Sequence, residues 1–205
     1  MKKDFQIGYK ESLNKKIDEY ENGSFFNLNN RLFYKRKNIL DKKYIVKKII
    51  SDIDKEIVEN CCKSVPAFQT QPELHRKYKN IPHWSYLIEE INLDIEKYIL
   101  NINSEKKITS LNCQSCWANV STPESNYVYH NHTTNLTVVY FLKNPSKIYG
   151  TLIYFDDNEI ILPGEENSLI IFNPKIIHCV VSPPPQVSSL NPRYSIVFDY
   201  TFDYE

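Results

Sequence analysis

His130-x-His132 is followed along the chain by His178 and then by Arg193-x-Ser195. Neutral imidazole is the usual ligand for iron, copper, nickel and zinc, and a metal site with open positions needs about three such ligands on one face. A lone histidine is more often structural or exposed than a ligand. A His-x-His pair joined by a distant third histidine is a different case. On a strand, residues one apart share a face, so His130 and His132 converge while Asn131 points away. An imidazole from another strand, His178, completes the set.

Arg193 opens the apolar run Tyr194 to Tyr200. A cation inside a sheet core is costly unless it meets an anion. The planar guanidinium fork suits a carboxylate, and Ser195, two residues on, faces the same side to donate one more hydrogen bond. The pattern as a whole suits a redox metal with an anionic co-substrate beside it. Cys113-x-x-Cys116 suggests zinc or redox chemistry, but a spacing of three on a strand places the thiols on opposite faces. No second pair of suitable spacing appears, so these cysteines, like Cys61-Cys62, read as packing.

The elements that must position these residues change character near residue 105. Before it, Val46, Ile49, Ile50, Ile53, Ile57 and Cys61 recur at three- and four-residue steps among Lys, Asp and Glu, the pattern of an amphipathic helix. Trp84, Leu87, Ile88, Ile91, Ile95, Tyr98 and Ile99 repeat it, with Pro82 where a helix start accepts proline. Tyr9 to Tyr20 reads as a shorter helix stopped by Asn22-Gly23. Phe25 to Tyr34 alternates around Asn29-Asn30, which predicts a hairpin.

After residue 106 the segments are short and rich in β-branched and aromatic residues. Strands are expected at Thr109 to Val120, Tyr127 to His132, Leu136 to Leu142, Gly150 to Phe155, Glu159 to Leu162, Ser168 to Phe172, His178 to Val181 and Arg193 to Tyr200. Lys143-Asn144-Pro145, Asp156-Asp157-Asn158, Pro163-Gly164 and Pro183-Pro184-Pro185 punctuate them. About eight strands in roughly a hundred residues suggest a double-sheet jelly roll or barrel. With helices covering one sheet the whole is α+β: a mainly helical region, residues 1–105, packed on a β core, residues 106–205, as one compact unit.

Twenty-five basic residues balance twenty-five acidic ones in a chain of 205. This argues against a general nucleic-acid or anionic-membrane binder. The N-terminus lacks the apolar core of a signal peptide, and no stretch is apolar for about 18 residues. Five cysteines, an odd number, fit a reducing compartment. A soluble, cytoplasmic protein is expected.

An ordered set of motifs carries a resemblance. Trp117-Ala-Asn119, Tyr129-His130-Asn-His132, Leu136-Thr-Val-Val-Tyr140-Phe-Leu142 and Gly150-Thr-Leu-Ile-Tyr-Phe155-Asp156 come first. Pro163-Gly164, Ser168-Leu-Ile-Ile-Phe172-Asn-Pro174, His178-Cys-Val180 and Arg193-Tyr-Ser195-Ile-Val-Phe198 follow. Together they resemble the 2-oxoglutarate/Fe(II)-dependent oxygenase superfamily, in particular its small prolyl-hydroxylase-like branch with the His-x-His oxygenases of bacteria and phages. The likeness covers about residues 106 to 200, with a weaker echo at Trp84 to Tyr98.

The resemblance implies a double-stranded β-helix, cupin-like, holding Fe(II) at one mouth, with His130 as first ligand and His178 as the distal one. 2-Oxoglutarate would chelate the metal through its oxo acid end and place its far carboxylate on Arg193 and Ser195. Tyr140, on the even-numbered face with Leu136 and Val138, is either a further hydroxyl for that carboxylate or a core tyrosine. Asn119 and Trp117 are candidates for lining the pocket. The implied reaction consumes O2 and 2-oxoglutarate, releases succinate and CO2, and by default hydroxylates a C–H bond of a small-molecule or peptide substrate.

One position departs from the superfamily pattern. Most members carry His-x-Asp or His-x-Glu with a distal His, two histidines and one carboxylate, and position 132 here is histidine. Either His132 ligates, giving a three-histidine site, or it faces the substrate and a water or a distant acid, Asp156 or Asp157, completes the sphere. A three-histidine, cupin-like dioxygenase that needs no 2-oxoglutarate and a non-catalytic metal-binding barrel remain as alternatives.

Overall fold

The computed structural model describes residues 23–28, 30–60, 62–64, 67–103, 105, 107–121, 128–145, 150–155, 158–180 and 191–205. The first half contributes β1 (Ser24–Leu28), β2 (Arg31–Lys37), α1 (Lys43–Asn60), β3 (Cys62–Ser64), β4 (Ala67–Gln69), the single turn α2 (Leu74–Lys77) and α3 (Pro82–Ile102). The second half contributes β5 (Ile108–Ser121), β6 (Leu136–Lys143), β7 (Thr151–Phe155), β8 (Asn158–Leu162), β9 (Ser168–Phe172), β10 (His178–Val180) and β11 (Arg193–Tyr204).

Eight strands pair in the order β1-β2-β9-β6-β11-β5-β4-β3, and three more in the order β10-β7-β8. Every strand pairing is antiparallel. The crossing connections between the two sheets give the double-stranded β-helix. β6 and β9 are buried on both faces, which explains why both faces of each carry apolar residues. The expected Asn29-Asn30 hairpin is present with Leu28 opposite Arg31, and Asn30 takes φ 60°, a left-handed conformation that Asn tolerates. This hairpin and the β3–β4 hairpin add four strands from the first half to the large sheet.

The two faces of that sheet serve different layers. Outward, Leu136, Val138, Tyr140, Leu142, Tyr194, Ile196, Phe198 and Tyr200 pack with Ile45, Ile49 and Ile53 of α1 and with Trp84, Leu87, Ile91, Ile95 and Ile99 of α3. All of these helical residues but Ile45 belong to the sequence periodicity, and Pro82 stands at the start of α3 as expected. Buried hydroxyls pin the layers: Tyr194 donates to Asp54 at 2.7 Å and Tyr200 to Asn92 at 2.8 Å. Inward, Phe33, Val139, Phe141, Ile170, Phe172 and Val197 meet Leu162 and Ile176 in a second core. That inner face holds the candidate site.

One expected strand is different in the structure. In place of a strand over Tyr127 to His132, there is a single bridge in which His130 and His178 exchange both backbone hydrogen bonds at 2.9 Å. A continuing ladder would bring His132 opposite Ile176. The chain turns there, with the Ile176 N–H bonded to the Asn173 carbonyl, and the His132 backbone N–H donates to the Pro174 carbonyl at 2.9 Å. Residue 127 and the expected helix Tyr9 to Tyr20 lie outside the described residues. Among the described residues no helix is long and apolar enough to cross a membrane.

Candidate functional site

The bridge between His130 and His178 sets the first two imidazoles side by side, with ring centroids 4.5 Å apart. His132, carried past the Pro174 turn, brings its ring to 5.1 Å from each of them. One ring nitrogen from each histidine lies within 4.8 Å of the others, the one such group able to hold a metal ion found among the described residues. Exposure falls across the trio: His130 is exposed, His132 intermediate and His178 buried. The site thus opens on the His130 side.

Each ring is also oriented. His130 Nδ1 lies 2.9 Å from the Val128 carbonyl and His178 Nδ1 2.8 Å from the Ile176 carbonyl. His132 Nδ1 lies 2.7 and 2.8 Å from the two carboxylate oxygens of Asp199. An oxygen that only accepts places the imidazole proton on Nδ1 and leaves the lone pair on Nε2. Three such rings, locked by outer partners, make a donor set suited to a divalent transition metal. Burial together with the neighbouring imidazoles of His130 and His132 lowers the His178 pKa to about 4, and burial likewise lowers that of His130. These two rings are neutral, as ligands must be, at pH 7.

β11 supplies the other end of the site. Arg193, Ser195, Val197 and Asp199 alternate along it and face inward, where Val197 joins the inner core. Arg193 is fully buried, and its guanidinium reaches the Gly150 carbonyl and the Ser121 hydroxyl, each at 3.4 Å. The Ser195 hydroxyl is buried and has no hydrogen-bond partner among the described residues; the same holds for Thr151 Oγ1, one residue after Gly150. A buried hydroxyl without a partner costs about 1–3 kcal/mol. Orphaned donors beside a buried cation fit a carboxylate or similar anion.

The sequence matches no protein-family model and no curated protein. Solved structures do match in shape. A prolyl hydroxylase from Trichoplax adhaerens in complex with a hypoxia-inducible-factor peptide superposes with a TM-score of 0.55 at 14% identity, over 95% of this chain and 94% of that one. The viral collagen prolyl hydroxylase of Paramecium bursaria Chlorella virus-1, in complex with 2-oxoglutarate, gives 0.53 at 16% identity, over 82% and 94%. An oxidoreductase of the 2-oxoglutarate/Fe(II) oxygenase family from Burkholderia pseudomallei gives 0.53 at 11%, over 82% and 84%. The fold is that of the 2-oxoglutarate/Fe(II) oxygenases.

Within this oxygenase fold the expected residues separate into two groups. Asn119 pairs with Ser195 across β5 and β11 and is buried, so it stands on the inner face beside Ser195. Trp117 stands opposite Val197, its ring 5.7 Å from that of His132. Tyr140 is a correction. It does share the face of Leu136 and Val138, but that face meets the helices, and its hydroxyl donates to Asn167 Oδ1 at 2.9 Å. Asn167 in turn binds the Leu40 backbone on both sides. Tyr140 belongs to the outer core and offers nothing to an anion on the inner face.

The cysteine pair is a second correction. Phe198 stands opposite Cys116 and Tyr200 opposite Cys113, with a register shift between Asp199 and Tyr200 that makes Gln114 an extra residue. The bulge turns a spacing of three into one face. Both thiols lie against the outer core. Burial, with Asp199 nearby, pushes the Cys113 thiol up to about 12, and burial raises Cys116 well above its ordinary value. They are packing groups, as expected, for a different geometric reason.

Asp199 was not among the expected site residues, and Asp156 and Asp157, the acids considered, lie outside the described residues. The signal was an acid inside the apolar strand Ile196-Val-Phe-Asp-Tyr200, at even spacing from Arg193. Charge inside a buried strand is as costly for Asp as for Arg.

Proposed function

We propose that the protein is a 2-oxoglutarate- and Fe(II)-dependent dioxygenase that hydroxylates an unactivated C–H bond of a small-molecule or peptide substrate and releases succinate and CO2. The observation that carries this reading is the arrangement between the two sheets: three imidazoles with ring nitrogens within 4.8 Å of one another and each Nδ1 bonded elsewhere, and on β11 a buried Arg193 with the Ser195 hydroxyl, which has no partner among the described residues. Fe(II) held by His130, His132 and His178 would bind the oxo acid end of 2-oxoglutarate and activate O2 for its oxidative decarboxylation.

The chain's own residues do the rest. Arg193 neutralises the far carboxylate of the co-substrate, and Ser195 donates a hydrogen bond to it. Asn119 borders that pocket, while Trp117 and Phe172, the latter 4.9 Å from His178, wall the metal with apolar surface and exclude water. Gly150 begins the path of β7 toward Ile153, the backbone partner of His178. Three residues of strand put the anchor roughly 10 Å from the metal ligand along that direction, within reach of a side chain and a short diacid.

The presence of a third histidine where most of these enzymes carry a carboxylate favours a second reading, a three-histidine dioxygenase that uses no 2-oxoglutarate. An anaerobic titration separates the two. Fe(II) and 2-oxoglutarate added together should give a visible charge-transfer band that neither gives alone. Folded, iron-loaded protein that shows no band excludes the first reading; where the band forms, succinate formation identifies substrates.

A further inference from the structure

Asp199 is outside the proposed ligand set, yet its carboxylate is spent on that set. It is 5% exposed, and both oxygens approach His132 Nδ1. Oδ1 also accepts from Thr137 Oγ1 at 2.7 Å, so the carboxylate is held from a second strand. His130 and His178 give their Nδ1 protons to neutral backbone carbonyls. Of three side chains with the same chemistry, only one is backed by a negative charge. That one occupies the position where a carboxylate would ordinarily ligate.

An anionic acceptor draws the Nδ1 proton toward itself and strengthens the lone pair at Nε2. Three neutral imidazoles alone would leave both charges of a divalent ion uncompensated in a largely buried site. A carboxylate behind one ring offsets one of them at one ring's remove. Thr137 keeps the carboxylate from turning away, and the tilted Trp117 ring, 5.7 Å from that of His132, limits the imidazole's rotation.

We propose that His132 and Asp199 act as one unit that delivers to the metal the negative charge of a missing carboxylate ligand, with Asp199 as a positioning residue working through His132 Nδ1. The inference rests on the ligand set of the proposed function and is independent of the co-substrate.

The test uses metal alone. Asp199→Asn keeps the shape and an oxygen that can accept from Nδ1 but removes the charge. Fe(II) affinity by anaerobic chelator competition should fall about 10- to 100-fold, and the Fe(III)/Fe(II) midpoint potential should become more positive. In the zinc-loaded protein the ¹⁵N shifts of His132 should move while those of His130 and His178 stay. Thr137→Val, which keeps the charge and loosens its hold, should weaken Fe(II) several-fold and keeps the question open to a clear answer should the first variant not fold. Asp199→Glu should restore part of the potential. Wild-type affinity and potential in Asp199→Asn, or in a folded Thr137→Val if Asp199→Asn does not fold, would overturn the proposal, as would a wild-type protein that binds no divalent metal. Tight metal binding without a 2-oxoglutarate band removes the 2-oxoglutarate reading and leaves this one standing.

Discussion

Arg193 Nη1 donates to the carbonyl of Gly150 at 3.4 Å, tying the first residue of β11 to the residue that precedes β7. β7 pairs with β10, whose first residue is His178. Arg193 and the buried His178 are therefore joined through one short strand.

Arg193→Ala should weaken 2-oxoglutarate by about 30-fold or more, the effect of removing one partner of a buried charge pair, and leave Fe(II) affinity near wild type. Band titration and chelator competition on one preparation read both. Equal loss of iron would count against the assignment of Arg193 to the carboxylate.

Gly150→Ala should disturb the same junction. A Cβ there would sit 1.8 Å from the Leu162 carbonyl and 2.6 Å from the Gly164 nitrogen, backbone atoms that cannot rotate away. A loss of about 1–3 kcal/mol is expected from overpacking, read by chemical denaturation, together with weaker 2-oxoglutarate binding.

His178→Ala should abolish stoichiometric iron. In the wild type, ion at a hundredfold excess over its Kd should stabilise the fold by about 2.7 kcal/mol, a rise in Tm that the variant lacks. A variant retaining one iron per chain would show that the ligand set is wrong.

Tyr140→Phe distinguishes the inner face from the outer. Losing the bond to Asn167 should cost about 1 kcal/mol, a few degrees in Tm, with 2-oxoglutarate affinity unchanged. A drop in that affinity would return Tyr140 to the site.

These expectations also mark what the sequence could convey. The helix through Trp84, Leu87, Ile91 and Ile95 was legible because one stripe is buried and the rest is wet. The face shared by Tyr140, Val138 and Leu136 was legible too, from parity. Which side of that face holds the site was not, because β6 is buried on both sides and carries apolar residues on both. Cys113 and Cys116 escaped parity through one bulged residue, which no composition reveals. The β3–β4 hairpin is too short for periodicity to register. Asp199 was in plain view, but its partner His132 comes from a segment far away in sequence, and only the fold joins them.

Arg193 and Asp199 stand on the same face of β11, and the opposite face of that strand is fastened to the helices by Tyr194 and Tyr200. Along a strand one face recurs only every 6.7 Å or so. β11 is thus a ruler with coarse graduations: it cannot slide by the small fraction of a step that separates one diacid from its next longer homologue. Discrimination by length would then be a property of the backbone pleat, shared by every side chain mounted on it and owned by none.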